Sequence, residues 1–586
     1  MRSKRGRPLL ILASVILLVL VVLLGVFVGA KYFVSQERAV RTVWQVDVGE
    51  LLGKDRELGL ELRQADVESD LTVLQFVPFE VEQEGFTYYD IAVQDRLARA
   101  IEKAKARSQG WEAGAPLAVL NPYGTGNNGL YLYFTTDMAT RVTYTVHVER
   151  EDIPDFTAVA AEASGETYTK VHEFQLIGLV PGETNQVTLT IAGSWGNVRQ
   201  RVTFAITMPE TRSGYPTRLD YTDGESEAPL SDGLFAMMRT NGYLGYGFFF
   251  DNGGILRYEM VLEGYGLDRI LWYEGEMVTC VSATRLARLD GLGRVKQVYD
   301  LTGYELHHDI IGGPQGTVIA LVNKDGSETV EDVVVEVDLE TGTVTELLDF
   351  SVLMADYCFN ETHPVPLTGD FFLQAGEWDW LHLNTVQYLE ADDSLLVSSR
   401  ETSTVLKVEN AHGRPELAWL LGDPAFWAGT AYEDLSLTPE GDFIFPYGQH
   451  SVEYAGAGGD GTCYLRLFNN NYWSNSTRNY TPELDEWVSE SLYGGRGDQS
   501  WVCVYRVDEV QRTFTLETSF AVPYSSIVSN AAPAGEDGNW VVNSGISNVY
   551  GEYDGEGELI REFAYVCTMQ GYRTFKESFY NFWFQS

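Results

Sequence analysis

Between residues 117 and 208 apolar and polar side chains alternate in short runs. LYLYFTTD, RVTYTVHVE, VHEFQLIGL, NQVTLTIAG and RVTFAITMP follow one another, separated by Gly, Pro and Asn. A period of two sends successive side chains to opposite faces of a strand, so each run reads as a half-buried strand. Such strands at regular spacing predict a small β-sandwich over 116–210. Upstream, at 89–107 (YDIAVQDRLARAIEKAKAR), the period lengthens. Ile91, Leu97, Ala98 and Ile101 recur on one side, which predicts a helix. Residues 43–70 are charged and mixed, and 36–115 as a whole reads as a spacer with that helix. Residues 211–224, TRSGYPTRLDYTDG, read as a linker.

From 225 to 586 the alternation resumes and repeats. An acidic turn followed by an alternating strand recurs at Asp251, Asp290, Asp338, Glu409, Asp508 and Asp554, with Gly in all copies but one. A four-stranded blade needs about 40–50 residues, and the longer intervals between copies mean inserted loops. The expected architecture is all-β: a six-bladed β-propeller over 225–586, preceded by the sandwich. Two stacked sandwiches are the alternative, because a hairpin phrase can recur in any all-β chain.

One stretch escapes both periods. Residues 9–30, LLILASVILLVLVVLLGVFVGA, are apolar throughout. A membrane-spanning helix needs about 20 such residues. Arg2, Lys4, Arg5 and Arg7 precede the run, so the positive-inside rule puts 1–35 down as a cytoplasmic flank and a transmembrane anchor. The body is then expected at the cell membrane, on the extracytoplasmic side. A cleaved signal peptide is the competing reading, with only Val28-Gly29-Ala30 resembling a cleavage site.

Charge narrows the partners. Asp and Glu number 84 against 41 Lys and Arg, a net charge of −43. So acidic a chain repels phosphate backbones, which argues against nucleic acid. The five cysteines allow at most two internal disulfides, and none has C-x-x-C spacing. No metal-ligand spacing and no phosphate-cradling glycine loop occurs, so neither a metal nor another cofactor is expected. A zinc site made by three histidines stays as a weaker reading.

Of the eight histidines, three groups stand out: Glu305–Ile310 with His307 and His308, Asp379–Val386 with His382 and Asn384, and Tyr447–Val452 with His450. Each falls where a new blade should begin, and the inner strand of a blade lines the central channel. Strand alternation sends His382 and Asn384 one way, and His307 with Asp309 one way. Arg400, at the end of LLVSSR, is a cation for the same funnel. His147, His172, His363 and His412 read as hydrogen-bonded structural groups.

These segments resemble the bacterial arylsulfate sulfotransferases, which do not use the nucleotide sulfate donor. The matching pieces are NPYG at 121–124, FTTD at 134–137, HEFQLIGLVPGETNQVTLTI at 172–191, HHDI at 307–310, GEWDWLHLNTVQYLEADDSLLVSSRETSTVLKVE at 376–409, WLLGDP at 419–424, GQHSV at 448–452 and GYRTFKESFY at 571–580. The resemblance implies a six-bladed propeller and ping-pong transfer of a sulfuryl group from an aryl sulfate donor to a phenol acceptor. It implies His450 as the nucleophile that carries the group, and His382, Arg400, Asn384 and one of the His307–His308 pair as residues that hold the sulfate. The H-x-N and H-x-D registers favour His307. Ser451 is a rival nucleophile, though no G-x-S-x-G elbow surrounds it. Trp378, Trp380, Phe426, Trp427 and Tyr447 are the nearby aromatics that could flank a phenol. Whether the chain pairs as a homodimer is left open. A non-catalytic surface propeller that binds a ligand or protein is the rival from another class. A metal- or quinone-dependent dehydrogenase is a third.

Overall fold

The computed structural model describes residues 15–27 and 41–585, apart from 108–109, 242–243, 367–374, 460, 485, 536–537 and 568–570. Residues 41–210 form one sheet system of ten strands, bent into a sandwich. The bend lies in the long strand Leu130–Val148. Its first half pairs with Leu117–Leu120 and Thr169–Leu176, and its second half with Phe156–Val159 and Thr184–Ala192. The expected helix is present at Ile91–Lys105, and the Asp90 side chain accepts from Ala92 N at 2.7 Å to cap its first turn. It buries Val93, Leu97, Ala100, Ile101 and Ala104 against the sandwich core.

The 36–115 stretch differs from the expected spacer. Gly53–Asp55, Leu60–Gln64 and Val73–Pro78 are strands of the same sheet, joined through a parallel pairing of Val73–Leu74 with Ala118–Val119. Their alternation is too short to stand out in the sequence. The sheet edge decides their state by supplying hydrogen-bond partners.

Beyond 220 the chain makes six blades. From blade two to blade six the inner strands are Ile270–Tyr273, Tyr304–Gly312, Leu383–Leu389, His450–Gly459 and Asn530–Ala534. Blade one takes its inner strand, Phe575–Glu577, from the far end of the chain, and Asp220–Asp223 adds an outer strand to blade six. The ring is thus closed by hydrogen bonds at both edges of the seam. Lys576 strengthens it: its buried ammonium donates to Glu552 in blade six at 2.6 Å and to Asn252 in blade one at 2.7 Å.

The recurrent acidic phrase has one structural meaning. Every copy is the hairpin between the third and fourth strands of its blade. In five of them the Asp Oδ1 accepts backbone N–H groups two to four residues on, as Asp251 does from Gly253 and Ile255, and Asp554 from Glu556 and Glu558. In blade three the second strand reads TVIALVNK, apolar without alternation, because neighbouring blades cover both faces.

Among the described residues no helix is long and apolar enough to cross a membrane. Residues 15–27 are helical and exposed, and the remainder of the 9–30 run lies outside the described residues. All five cysteines are free.

Candidate active site

The inner strands of blades three, four and five bring the three histidine groups to one rim of the channel. At each, one residue takes a left-handed backbone: His308 with φ 53°, His382 with φ 51° and Ser451 with φ 55°. Non-glycine residues pay about 1–3 kcal/mol for such conformations, which persist where surrounding structure imposes them and concentrate at functional sites. The same kinks break the ladder, with register shifts at Leu306/Ile310, Leu383/Thr385 and His450/Glu453.

The kink decides between the paired histidines. Simple alternation favours His307, yet the left-handed turn swings the next ring inward. The His308 ring packs against His382 at 4.7 Å and against Tyr572 at 5.4 Å between centroids. His307 lies behind it, its Nδ1 2.9 Å from His308 Nδ1. Burial pushes His307 down to about 4 and holds His308 well below its ordinary value, against the pull of Glu331.

His450 opens the inner strand of blade five and is 1% exposed. Its Nδ1–H donates to Gly448 O at 2.9 Å and to Asn470 Oδ1 at 2.8 Å. Asn470 is locked in that orientation, because its Nδ2 donates to Ser525 O at 2.7 Å and Val528 O at 3.0 Å. The proton therefore sits on Nδ1, and Nε2 keeps its lone pair. No hydrogen bond to Nε2 occurs among the described residues. Burial pushes His450 down to about 3, helped by the charges of His382 and Arg400 and opposed by the Asn470 hydrogen bond. The hydroxyl of the neighbouring Ser451 is buried and has no hydrogen-bond partner among the described residues.

His382 is the opposite case. Its Nδ1 lies 2.5 Å from Asp379 and 2.7 Å from Glu331. Burial and Arg400 oppose protonation, but the two carboxylates outweigh them and push the imidazole up to about 9. Burial opposes ionisation of Glu331 too, and the His382 and His308 rings hold its carboxyl well below the usual range.

Arg400 follows the strand Ser394–Ser399, with its backbone N–H on His382 O at 3.1 Å. Its Nη2 donates to Glu401 Oε1 at 3.0 Å. Glu401 in turn accepts from Ser476 N at 2.9 Å, which ties the inserted 470–499 segment of blade five to this corner. Asn384 faces inward, but its Nδ2 donates to Gln449 O at 2.8 Å. It braces the peptide before His450. Asp309 points away from His307 and receives Arg269 at 2.9 Å and Arg573 at 2.6 Å.

Of the aromatics named from the sequence, Trp380 and Trp427 are core, with indole N–H groups spent on Asp332 and Thr404. The ring that reaches the rim is Tyr572, 5.4 Å from His308 and 6.3 Å from His450. Sequence reasoning also passed over Glu331, Asp379, Asn470 and Arg573. Asp379, Tyr572 and Arg573 stand within the quoted segments, and Asn470 begins the inserted 470–499 segment. Nothing in the sequence marks Glu331, which lies in a hairpin of blade three. Two groups of convergent donors share that residue: His307, His308 and Glu331, and Glu331, Asp379 and His382. In each the candidate ligand atoms lie within 4.8 Å of one another.

Residues 222–572 match the family pattern described as Arylsulfotransferase (ASST), and residues 117–209 match the Arylsulfotransferase Ig-like domain. No curated protein matches the chain. Among solved structures, a putative 6-phosphogluconolactonase from Bacteroides fragilis is 12% identical, with 75% of this chain and 98% of that chain covered and a TM-score of 0.32. A second from Bacteroides uniformis is 10% identical, with 74% and 99% covered and a TM-score of 0.31. TolB from Acinetobacter baumannii is 11% identical, with 68% and 81% covered and a TM-score of 0.28. Likenesses this weak decide nothing about activity.

Proposed function

The chain belongs to the arylsulfotransferase family, with an N-terminal Ig-like domain, and on that premise we propose that it moves a sulfuryl group from a phenolic sulfate ester to a phenol by a ping-pong route through His450. The observation that carries this reading is the pair of acceptors on His450 Nδ1, which leaves Nε2 as a neutral nucleophile at the channel rim. Nε2 attacks sulfur, the sulfur–aryloxy bond breaks, and the phenolate departs with the bonding pair. A phenol oxygen then attacks the same sulfur, the N–S bond breaks, and the imidazole is restored. Splitting the transfer in two lets one site serve donor and acceptor in turn.

Positioning and charge supply most of the acceleration in such loose, in-line transfers. Arg400 and protonated His382 are the cations for the sulfate oxygens. His382, held charged by Asp379 and Glu331, can also give a proton to the leaving oxygen and take one from the incoming phenol. Tyr572 offers a face for an aryl ring beside the reacting sulfur. The test is direct. With 4-nitrophenyl sulfate alone, a peptide containing His450 should gain the mass of one SO₃ and lose it when phenol is added. A label on Ser451 or Tyr572, or lines that intersect in initial-rate plots, would reject the route.

We also propose that residues 9–30 hold the body on the outer side of a membrane. Fractionation that finds the mature protein free of membranes, with an N-terminus near Lys31, would reject this.

A further inference from the structure

At the rim, ligand atoms of His307, His308 and Glu331 converge in one cluster. His307 Nδ1 and His308 Nδ1 stand 2.9 Å apart, a spacing that a shared N–H or a shared cation would each satisfy. Glu331 Oε2 is 3.7 Å from His308 Nδ1. Ligand atoms on one tetrahedral ion, each about 2.0–2.1 Å from it, stand about 3.3 Å apart, close to this spacing. At the same cluster one buried polar atom, Asp379 Oδ1, has no hydrogen-bond partner among the described residues. The chemistry of the set is selective. Two imidazoles and a carboxylate suit zinc-class transition ions, whereas calcium and magnesium want six or more oxygens. The acidic body raises the local concentration of any cation.

We propose that His307, His308 and Glu331 form a binding site for one divalent transition ion of the zinc class, and that occupancy competes with the sulfate ester. An ion there engages the imidazole nitrogens and draws Glu331 off His382, which weakens the group that faces the sulfate. Only the competitive consequence rests on the sulfotransferase reading. The site itself does not.

The full chain, stripped with a chelator and dialysed, should be titrated with zinc chloride by calorimetry and by competition with a chromogenic chelator. One ion per chain is expected. Glu331→Gln and His308→Ala should each weaken binding at least about tenfold. His412→Ala, which removes the exposed ring held by Asp393 at 2.5 Å, should leave affinity unchanged. Near-ultraviolet circular dichroism checks folding, and His307→Gln replaces any variant that fails. No saturable binding, or affinity unaltered in these variants, overturns the site. For the consequence, zinc should raise the KM for 4-nitrophenyl sulfate without lowering kcat. An unchanged KM at saturating zinc overturns competition. A metal-free chain that never turns over 4-nitrophenyl sulfate instead removes the sulfotransferase reading, while the titration still decides the site.

Discussion

His172 in the sandwich and His450 in the propeller are 0% and 1% exposed. His172 uses both ring nitrogens. Its Nδ1 lies 2.6 Å from Glu162 Oε1, its Nε2 lies 2.9 Å from Thr140 Oγ1, and the ring stacks on Phe134 at 4.8 Å. His450 uses one nitrogen and keeps the other toward the channel. On the proposed route, burial is therefore not what separates a structural imidazole from a reactive one. The number of nitrogens the fold occupies does so, together with a backbone kink that aims what is left.

Four changes would break or sharpen this contrast, beginning with the largest. His450→Ala should lower transfer on the order of 10⁴-fold or more and abolish the SO₃ label, because nothing nearby can replace a covalent carrier. Its melting temperature should stay close to the parent's, and a large drop would mean that this ring also holds the fold. His172→Ala should do the reverse. It removes the partner of buried Glu162 Oε1, leaving only the Glu173 N–H on the other oxygen, at a cost of about 1–3 kcal/mol in denaturant unfolding. Turnover per folded molecule should be unchanged, and a deficit that persists after correction for the folded fraction would sink the structural assignment.

Arg400→Lys tests the charge around the proposed nucleophile, His450. Replacing a planar fork of donors with a point charge should cost about 2–4 kcal/mol of transition-state stabilisation, read as kcat/KM with 4-nitrophenyl sulfate. A rate within twofold of the parent would make Arg400 a spectator. The smallest effect is a shift in pH dependence. His450 sits near 3, so its protonation does not limit the rate above about pH 4. Asn470→Asp sets a carboxylate beside Nδ1, which favours the imidazolium and should raise that value by about 1–2 units. An imidazolium has no free lone pair, so the rate should fall at pH 4–5 and recover toward neutrality. A profile that overlays the parent's across this range would show that Asn470 does not set the state of His450.

Much of this was legible in the sequence because it depends on short-range physics. Alternation of period two marked the sandwich strands, and the acidic turns marked the last hairpin of every blade; in five of the six an Asp side chain closes that turn on its own backbone. The blade starts placed the His307–His308 pair, with His307 favoured, together with His382 and His450 on one channel. The tertiary structure alone decided which atoms of those rings are available. His308 displaced His307 at the rim because a left-handed residue broke the alternation on which the register argument rested. Asn384 braces the peptide before His450. Its amide is taken by Gln449 O, 65 residues away in sequence. Glu331 and Asn470 became part of the site because a closed ring of blades brings separate hairpins to one axis. The same closure joined Arg573 to Asp309 across 264 residues and drew Phe575–Glu577 into blade one. A sequence pattern records what a residue needs from its neighbours along the chain. The state of a buried nitrogen depends on partners that only the folded ring brings within 3 Å.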